Sequence, residues 1–278
     1  MPNINIFQIF YSDESRSIID PGFIPLSNMA NERPDWFEYW PIRKYIQNNK
    51  LVENNFYGFF SPKFSAKTKL SSQSVFNALN EINLSDFDVI SFSPFIDQIA
   101  WYKNQFEQTL HTSRDILPAL EFSKKLLFPE FNIDAYYSSS MDTIFCNYFI
   151  ATGKFWNEWH TCCEKIFCIA EDTSDAHSHL FSASTAYGKT REARKTFIIE
   201  RIASMLIKAK NFRSIGIKNM PHTFAIAEFS SLIKDLIHLD SLKIAYNTTG
   251  NLLFRDAFED DRVETLEKLR LLRLYLIK

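Results

Sequence analysis

Ile4-Asn5-Ile6-Phe7-Gln8-Ile9-Phe10, running into Tyr11-Ser12-Asp13-Glu14-Ser15, decides how the chain is read. The first seven residues alternate and are rich in β-formers, the pattern of a buried strand, and the polar run ends it. A strand that empties into a polar loop is how nucleotide-binding α/β domains commonly open. Two further stretches repeat the device. Phe56-Tyr57-Gly58-Phe59-Phe60 stops at Ser61-Pro62-Lys63, and Asp88-Val89-Ile90-Ser91-Phe92 stops at Ser93-Pro94. Between them lie a helical segment over 36–48, opened by Pro34 and Asp35, and another over 71–82, capped by serine. Strands alternating with helices predict an α/β fold on a mostly parallel, doubly wound, Rossmann-like sheet flanked by helices.

Past the third strand the pattern predicts helices over 97–110 and 114–127, a strand over 143–150, and helices over 154–169 and 194–209. The last of these carries Phe197, Ile198, Ile202, Met205 and Leu206 at helical spacing. Residues 224–239 and 263–277 are helical in period as well, and this C-terminal helical segment ends in Lys and Arg. Its expected uses are to cap the sheet, to form a homo-oligomer, or to rest peripherally on the inner membrane surface.

Composition narrows the function classes. With 31 basic and 33 acidic residues the net charge is -2, so no basic face attracts nucleic acid and any phosphate recognition is local. The six glycines form neither Gly-x-Gly-x-x-Gly nor a Walker loop, and no Gly-x-Ser-x-Gly elbow is present; dehydrogenase, kinase and Ser-His-Asp hydrolase readings fall with them. Cys162 and Cys163 are adjacent and no suitably spaced His pair accompanies them, which favours buried free thiols over zinc ligands. There is no signal-like start and no apolar run long enough to span a bilayer, so the expected location is the cytoplasm. The 27 Phe, 11 Tyr and 5 Trp supply both core and flat faces on which sugar rings stack.

Candidate site residues follow from the strand ends. After the first strand, Tyr11 can stack on a base while Ser12 and Asp13 hydrogen-bond a ribose, or the three form a plain polar turn. After the second, Lys63 and Lys67 can reach a phosphate as point charges, or stand as a solvated basic loop. At the end of the third stand Ser91, Ser93 and Asp97, where metal-dependent transferases place an Asp-x-Asp that holds manganese or magnesium against a diphosphate. Asp86-Phe87-Asp88 has those letters but precedes its strand, which leaves such a cation in question. Asp142, just before the predicted strand over 143–150, is the first choice for a general base or an acceptor-binding carboxylate, with a strand cap as the other reading. Glu200, on an amphipathic helix among apolar neighbours, is the next acidic candidate.

Four blocks carry a resemblance. They are Asn28-Met-Ala-Asn-Glu-Arg-Pro-Asp-Trp-Phe-Glu-Tyr-Trp-Pro-Ile-Arg43; Tyr57-Gly-Phe-Phe-Ser-Pro-Lys-Phe64 with Lys67; Phe145-Cys-Asn-Tyr-Phe-Ile-Ala151 with Phe155-Trp156; and Phe197-Ile-Ile-Glu-Arg-Ile-Ala203. In order and character they resemble the blocks of small GT-A-like glycosyltransferases of bacterial capsule and lipopolysaccharide clusters, galactosyl- and galactofuranosyltransferase-like proteins among them. The resemblance implies a GT-A-like catalytic domain over 1–212 with a helical extension over 213–278 packed on it. It also implies a UDP-hexose donor and a growing glycan or glycolipid acceptor. It brings Glu38, Asn147 and Trp156 in on the acceptor side, and Lys63 and Glu200 as donor and catalytic residues. Two other classes compete: a non-catalytic glycan-binding or assembly subunit on a degenerate transferase fold, and a nucleotidyltransferase, against which the missing glycine-rich loop speaks.

Overall fold

The structure is a computed structural model that describes residues 2–93, 95–187, 190–217 and 223–276. Pro94 and residue 277 therefore lie outside the described residues. The N-terminal part runs β1 (Ile4–Phe10), α1 (Asp13–Ser17), β2 (Ile24–Ser27), α2 (Tyr39–Asn48), β3 (Phe56–Phe60), α3 (Phe64–Thr68), α4 (Ser72–Asn80) and β4 (Val89–Ser91). There follow α5 (Gln105–Thr112), α6 (Leu117–Leu127), β5 (Phe149–Thr152), α7 (Gly153–Glu171) and α8 (Ser178–Ser182). A hairpin of β6 (Ser184–Tyr187) and β7 (Thr190–Ala193) leads into α9 (Arg194–Ala209). Last come β8 (Ser214–Gly216), α10 (Ile233–Thr249) and α11 (Leu252–Leu276).

Six strands form one sheet in the order β2-β1-β3-β5-β4-β8. It is mixed α/β and mostly parallel, as expected; β5 alone runs against its neighbours β3 and β4. The alternation along each strand divides the core between two faces. Phe7, Ile9, Tyr57, Phe59, Val89, Phe149 and Ala151 point to the face covered by α2, α6, α7 and α9. Ile6, Phe56, Phe60, Ile90 and Ile150 point to the other, under α3 and α4. Such strands, wetted on neither side, read as nearly continuous hydrophobic runs, which is why β1 and β3 are legible to the residue.

Several elements differ from expectation. The strand expected over 143–150 begins only at Phe149, because Cys146 and Asn147 have φ of 59° and 54°. The donors of that stretch find partners off the sheet: the Ile144 amide bonds Ser204 Oγ at 2.8 Å and the Phe145 amide bonds Ser93 Oγ at 2.8 Å. The helix expected from Trp36 is a 3-10 turn over Pro34–Trp36; Phe37, at φ 46°, breaks it before α2 starts. The C-terminal segment is two long helices folded at Gly250, whose φ of 68° suits glycine. β2 escapes sequence reading because Pro25 sits inside it, which an edge strand tolerates.

Chain direction sets the place of the site. From β1 the chain pairs β2 on one side, then crosses to lay β3 on the other. Strand order thus reverses at β1, and a crevice opens outside the carboxyl ends of β1, β2 and β3. At the far edge, β8 pairs with β4, so the sheet draws its last strand from beyond residue 212.

Candidate functional site

A cavity of about 530 Å³ occupies that crevice. Its floor is Ile9 of β1 with Tyr11 just after that strand, Asn28 after β2, and Ser61, Pro62 and Lys63 after β3. Lys67 of α3, Glu38 at the head of α2, Cys146 and Tyr148 before β5, and Thr196, Phe197 and Glu200 of α9 close the walls. A volume of this order fits a small-molecule ligand.

The positions have local causes. Phe64 stacks on Phe60 at 4.0 Å and is fully buried, which pins α3 directly under the end of β3. Lys63, at the N-cap of α3, and Lys67, one turn on within it, then both line the cavity. Ser61 Oγ accepts from the Lys63 amide at 3.2 Å and shares a 2.7 Å hydrogen bond with the Tyr148 hydroxyl. Lys67 Nζ donates to Cys146 Sγ at 3.2 Å and sits 5.9 Å from the Tyr148 ring.

Glu38 is held by the segment before and after it. Lys195 at the start of α9 pairs with Asp35 and, at 3.2 Å, with Glu171 at the end of α7. Arg33 reaches the same two carboxylates, and Trp36 Nε1 donates to Glu171 at 2.9 Å. One turn further on, Arg43 forks onto Glu164 of α7 at 2.6 and 2.8 Å, and the Tyr39 hydroxyl donates to the same carboxylate. Bidentate, partly buried pairs of this kind fix geometry more than they add stability.

The electrostatics are those of an enclosed, mixed-charge site. Burial pushes the Glu200 carboxyl up to about 7; Arg201 opposes this, Glu38 adds to it and Lys67 opposes it. Burial raises Glu38 too, partly offset by its own backbone amide and by Lys67 and Lys63. Burial, with Glu200 next, pushes the Cys146 thiol up to about 12, so it is no ready nucleophile. Arg201 faces away, donating to Thr109 Oγ1 at 2.9 Å and Gln108 Oε1 at 3.1 Å. Backbone strain concentrates here as well. Of the seven non-glycine residues with positive φ among the described residues, Asn31, Phe37, Phe95 and Cys146 line the cavity. Such conformations cost about 1–3 kcal/mol each and cluster where a binding surface demands them.

Of the residues chosen from sequence, Tyr11, Lys63, Lys67, Glu38 and Glu200 meet in this cavity. The others lie elsewhere. Ser12 caps α1, accepting from the Ser15 amide at 3.1 Å, with Asp13 in that helix's first turn. Ser91 Oγ donates to the Thr143 carbonyl at 3.4 Å, and Ser93 is taken up by the Phe145 amide. Asp97, fully buried, accepts from the Ala225 and Ile226 amides at 2.9 and 3.2 Å. Asp142 accepts from the Ser139 amide at 2.7 Å and pairs with Lys208 at 2.7 Å. Trp156 is wholly inside the core with Nε1 on the Tyr57 carbonyl at 2.8 Å. Asn147 is buried beside Cys146, its Oδ1 without a partner among the described residues.

Cys146, Tyr148, Asn28, Phe95 and Thr196 were not singled out for this cavity from sequence. Only Thr196 had a signal: it falls one turn before Glu200, off the apolar stripe of α9. All four cysteines are free thiols. Among the described residues no group of three or more His, Cys, Asp or Glu is gathered to hold a metal ion, and no helix is long and apolar enough to cross a membrane. Comparison of the chain with known protein families, with curated proteins and with solved structures finds no match.

Proposed function

We propose that the chain is a glycosyltransferase: it holds a nucleotide-sugar donor, a UDP-hexose, in the cavity at the β1/β3 crossing and passes the sugar to a growing surface-polysaccharide acceptor. The observation that carries the reading is the meeting of Lys63 and Lys67 with Glu38 and Glu200 in one cavity at the strand ends where the sheet order reverses.

Each role follows from the chemistry. Lys63, exposed at the rim, and Lys67, half-buried, put two positive charges where a diphosphate leaving group gathers negative charge. Tyr11, 46% exposed at the mouth, offers a face to the base. Glu200, titrating near 7, is matched to taking a proton from an acceptor hydroxyl near neutrality. Manganese or magnesium, if required, would add its charge to that of the lysines at the diphosphate.

The deciding measurement is a thermal-shift series with UDP, UDP-hexoses and other nucleotides, each with and without manganese. A ligand of the native state at a hundredfold excess over its Kd stabilises by about 2.7 kcal/mol, so UDP should raise Tm by several degrees. No shift with any nucleotide would remove the donor reading. The aromatic wall of Phe37, Phe95, Phe197 and Tyr148 keeps a second reading in view, a glycan-binding subunit without transfer activity. Stabilisation by glycans but by no nucleotide would select it.

A further inference from the structure

The charges around the cavity do more than mark a diphosphate site. Two lysines, Lys63 and Lys67, face three glutamates, Glu38, Glu192 and Glu200, and no arginine or histidine lines the space among the described residues. A diphosphate engages the lysines. What remains for the group attached to it is a wall of carboxylates, together with the Thr196 hydroxyl, whose oxygen is buried without a hydrogen-bond partner among the described residues. Carboxylates and a hydroxyl accept hydrogen bonds from sugar hydroxyls well, and they repel a ligand carboxylate that finds no guanidinium to fork onto.

We infer that this site discriminates by charge at the sugar: it takes an uncharged hexose and rejects a sugar bearing its own carboxylate, such as a uronic acid. The inference rests on the donor reading above and names its substrate class. Glu38 and Glu200 are the rejecting groups. They line the cavity from separate elements, Glu38 at the head of α2 and Glu200 on α9, and the charge of Glu38 helps to raise the Glu200 carboxyl. Rejection by like charge against a desolvated carboxylate needs no steric clash, since a CH2OH and a COO⁻ at C6 are nearly the same size.

That near-identity makes the test a matched pair. Kd is measured by calorimetry for UDP, UDP-glucose and UDP-glucuronic acid on the full chain at pH 8, above the value of about 7 to which burial pushes Glu200. UDP-glucuronic acid should bind at least about tenfold more weakly than UDP-glucose, as expected for an unpaired like charge. In Glu200→Gln and Glu38→Gln, which keep shape and remove charge, the ratio should narrow, chiefly through tighter uronate binding. Equal affinity for the two sugars in the parent chain, with UDP itself bound, overturns the inference and leaves the donor reading standing. An unchanged ratio in both variants overturns the assignment of the rejection to these glutamates. Absence of binding by UDP and both sugars removes the donor reading, and this inference with it.

Discussion

At the scale of single residues, Lys63 and Glu200 carry opposite expectations. Lys63→Ala removes one charge from the end of β3 without touching the packing of Phe64 on Phe60, so the fold is kept. Donor affinity should fall by about 1–3 kcal/mol, read as a higher Kd for UDP; unchanged affinity would take Lys63 out of the site. Glu200 bears on stability and activity in opposite directions. Its carboxyl titrates at about 7 in the folded chain against an ordinary 4.5, so between those values the native state binds more protons than the unfolded one. Stability contributed by this group therefore falls as pH rises from about 4.5 to about 7, and stays low above that. Glu200→Gln abolishes the fall and should make the protein more stable than the parent at pH 8, by up to about 2–3 kcal/mol in denaturant unfolding. The same variant should lose about 10²–10⁴-fold in turnover, and the parent's kcat/KM should rise with pH through about 7. A variant both less stable and fully active would show that Glu200 is merely structural. Lys63 was legible because a cation right after a strand is a local pattern. Cys146 and Tyr148 were not, because their presence in the cavity depends on two left-handed residues that no periodicity announces.

At the scale of elements, β1, β3 and α9 were legible to the residue because strands buried on both faces and an amphipathic helix are written in local hydrophobicity. The 143–148 stretch misled for the same reason. It is apolar enough for a strand, yet its amides are satisfied by Ser204 and Ser93, which lie far away in sequence. Trp156 shows how an aromatic can resemble a ligand platform and be core. It sits on α7 between Phe149, stacked at 4.5 Å, and Phe59, edge-on at 4.8 Å, and its Nε1 saturates the Tyr57 carbonyl within the sheet. Trp156→Ala should cost about 3–5 kcal/mol, lowering the denaturant midpoint with an unchanged slope. Trp156→Phe should cost less and leave acceptor KM alone. A change in KM at constant stability would instead return Trp156 to the acceptor side.

At the scale of the whole molecule, the question is whether the C-terminal helices are an appendage or part of the folding unit. Their separate core, with Trp101, Tyr137, Leu236 and Phe258, has the look of a small independent cluster. Polar ties argue the other way. β8 hydrogen-bonds to β4, Asp97 clamps the Ala225 and Ile226 amides, and Asp240 accepts from the Ser140 amide at 2.8 Å. Lys243, with no exposed surface, donates to the Ile99 and Tyr102 carbonyls at 2.7 and 2.9 Å. Removing the helices would take away these hydrogen bonds, each worth about 0.5–1.5 kcal/mol net, and would expose the apolar surface of Ala100, Trp101 and Tyr137 to water, at about 1.5–3 kcal/mol for each large side chain. A sum of that size rivals the 5–15 kcal/mol that holds a typical domain together. The full chain should therefore melt in one calorimetric transition whose van't Hoff and calorimetric enthalpies agree. A chain ending at residue 212 should fail to reach a cooperative native state, shown by loss of near-ultraviolet dichroism and of a sharp melt. Two resolved transitions in the full chain, or a well-folded 1–212 fragment, would instead establish the helices as a separable unit, and would confine the cavity, whose lining among the described residues runs from Ile9 to Glu200, to the first.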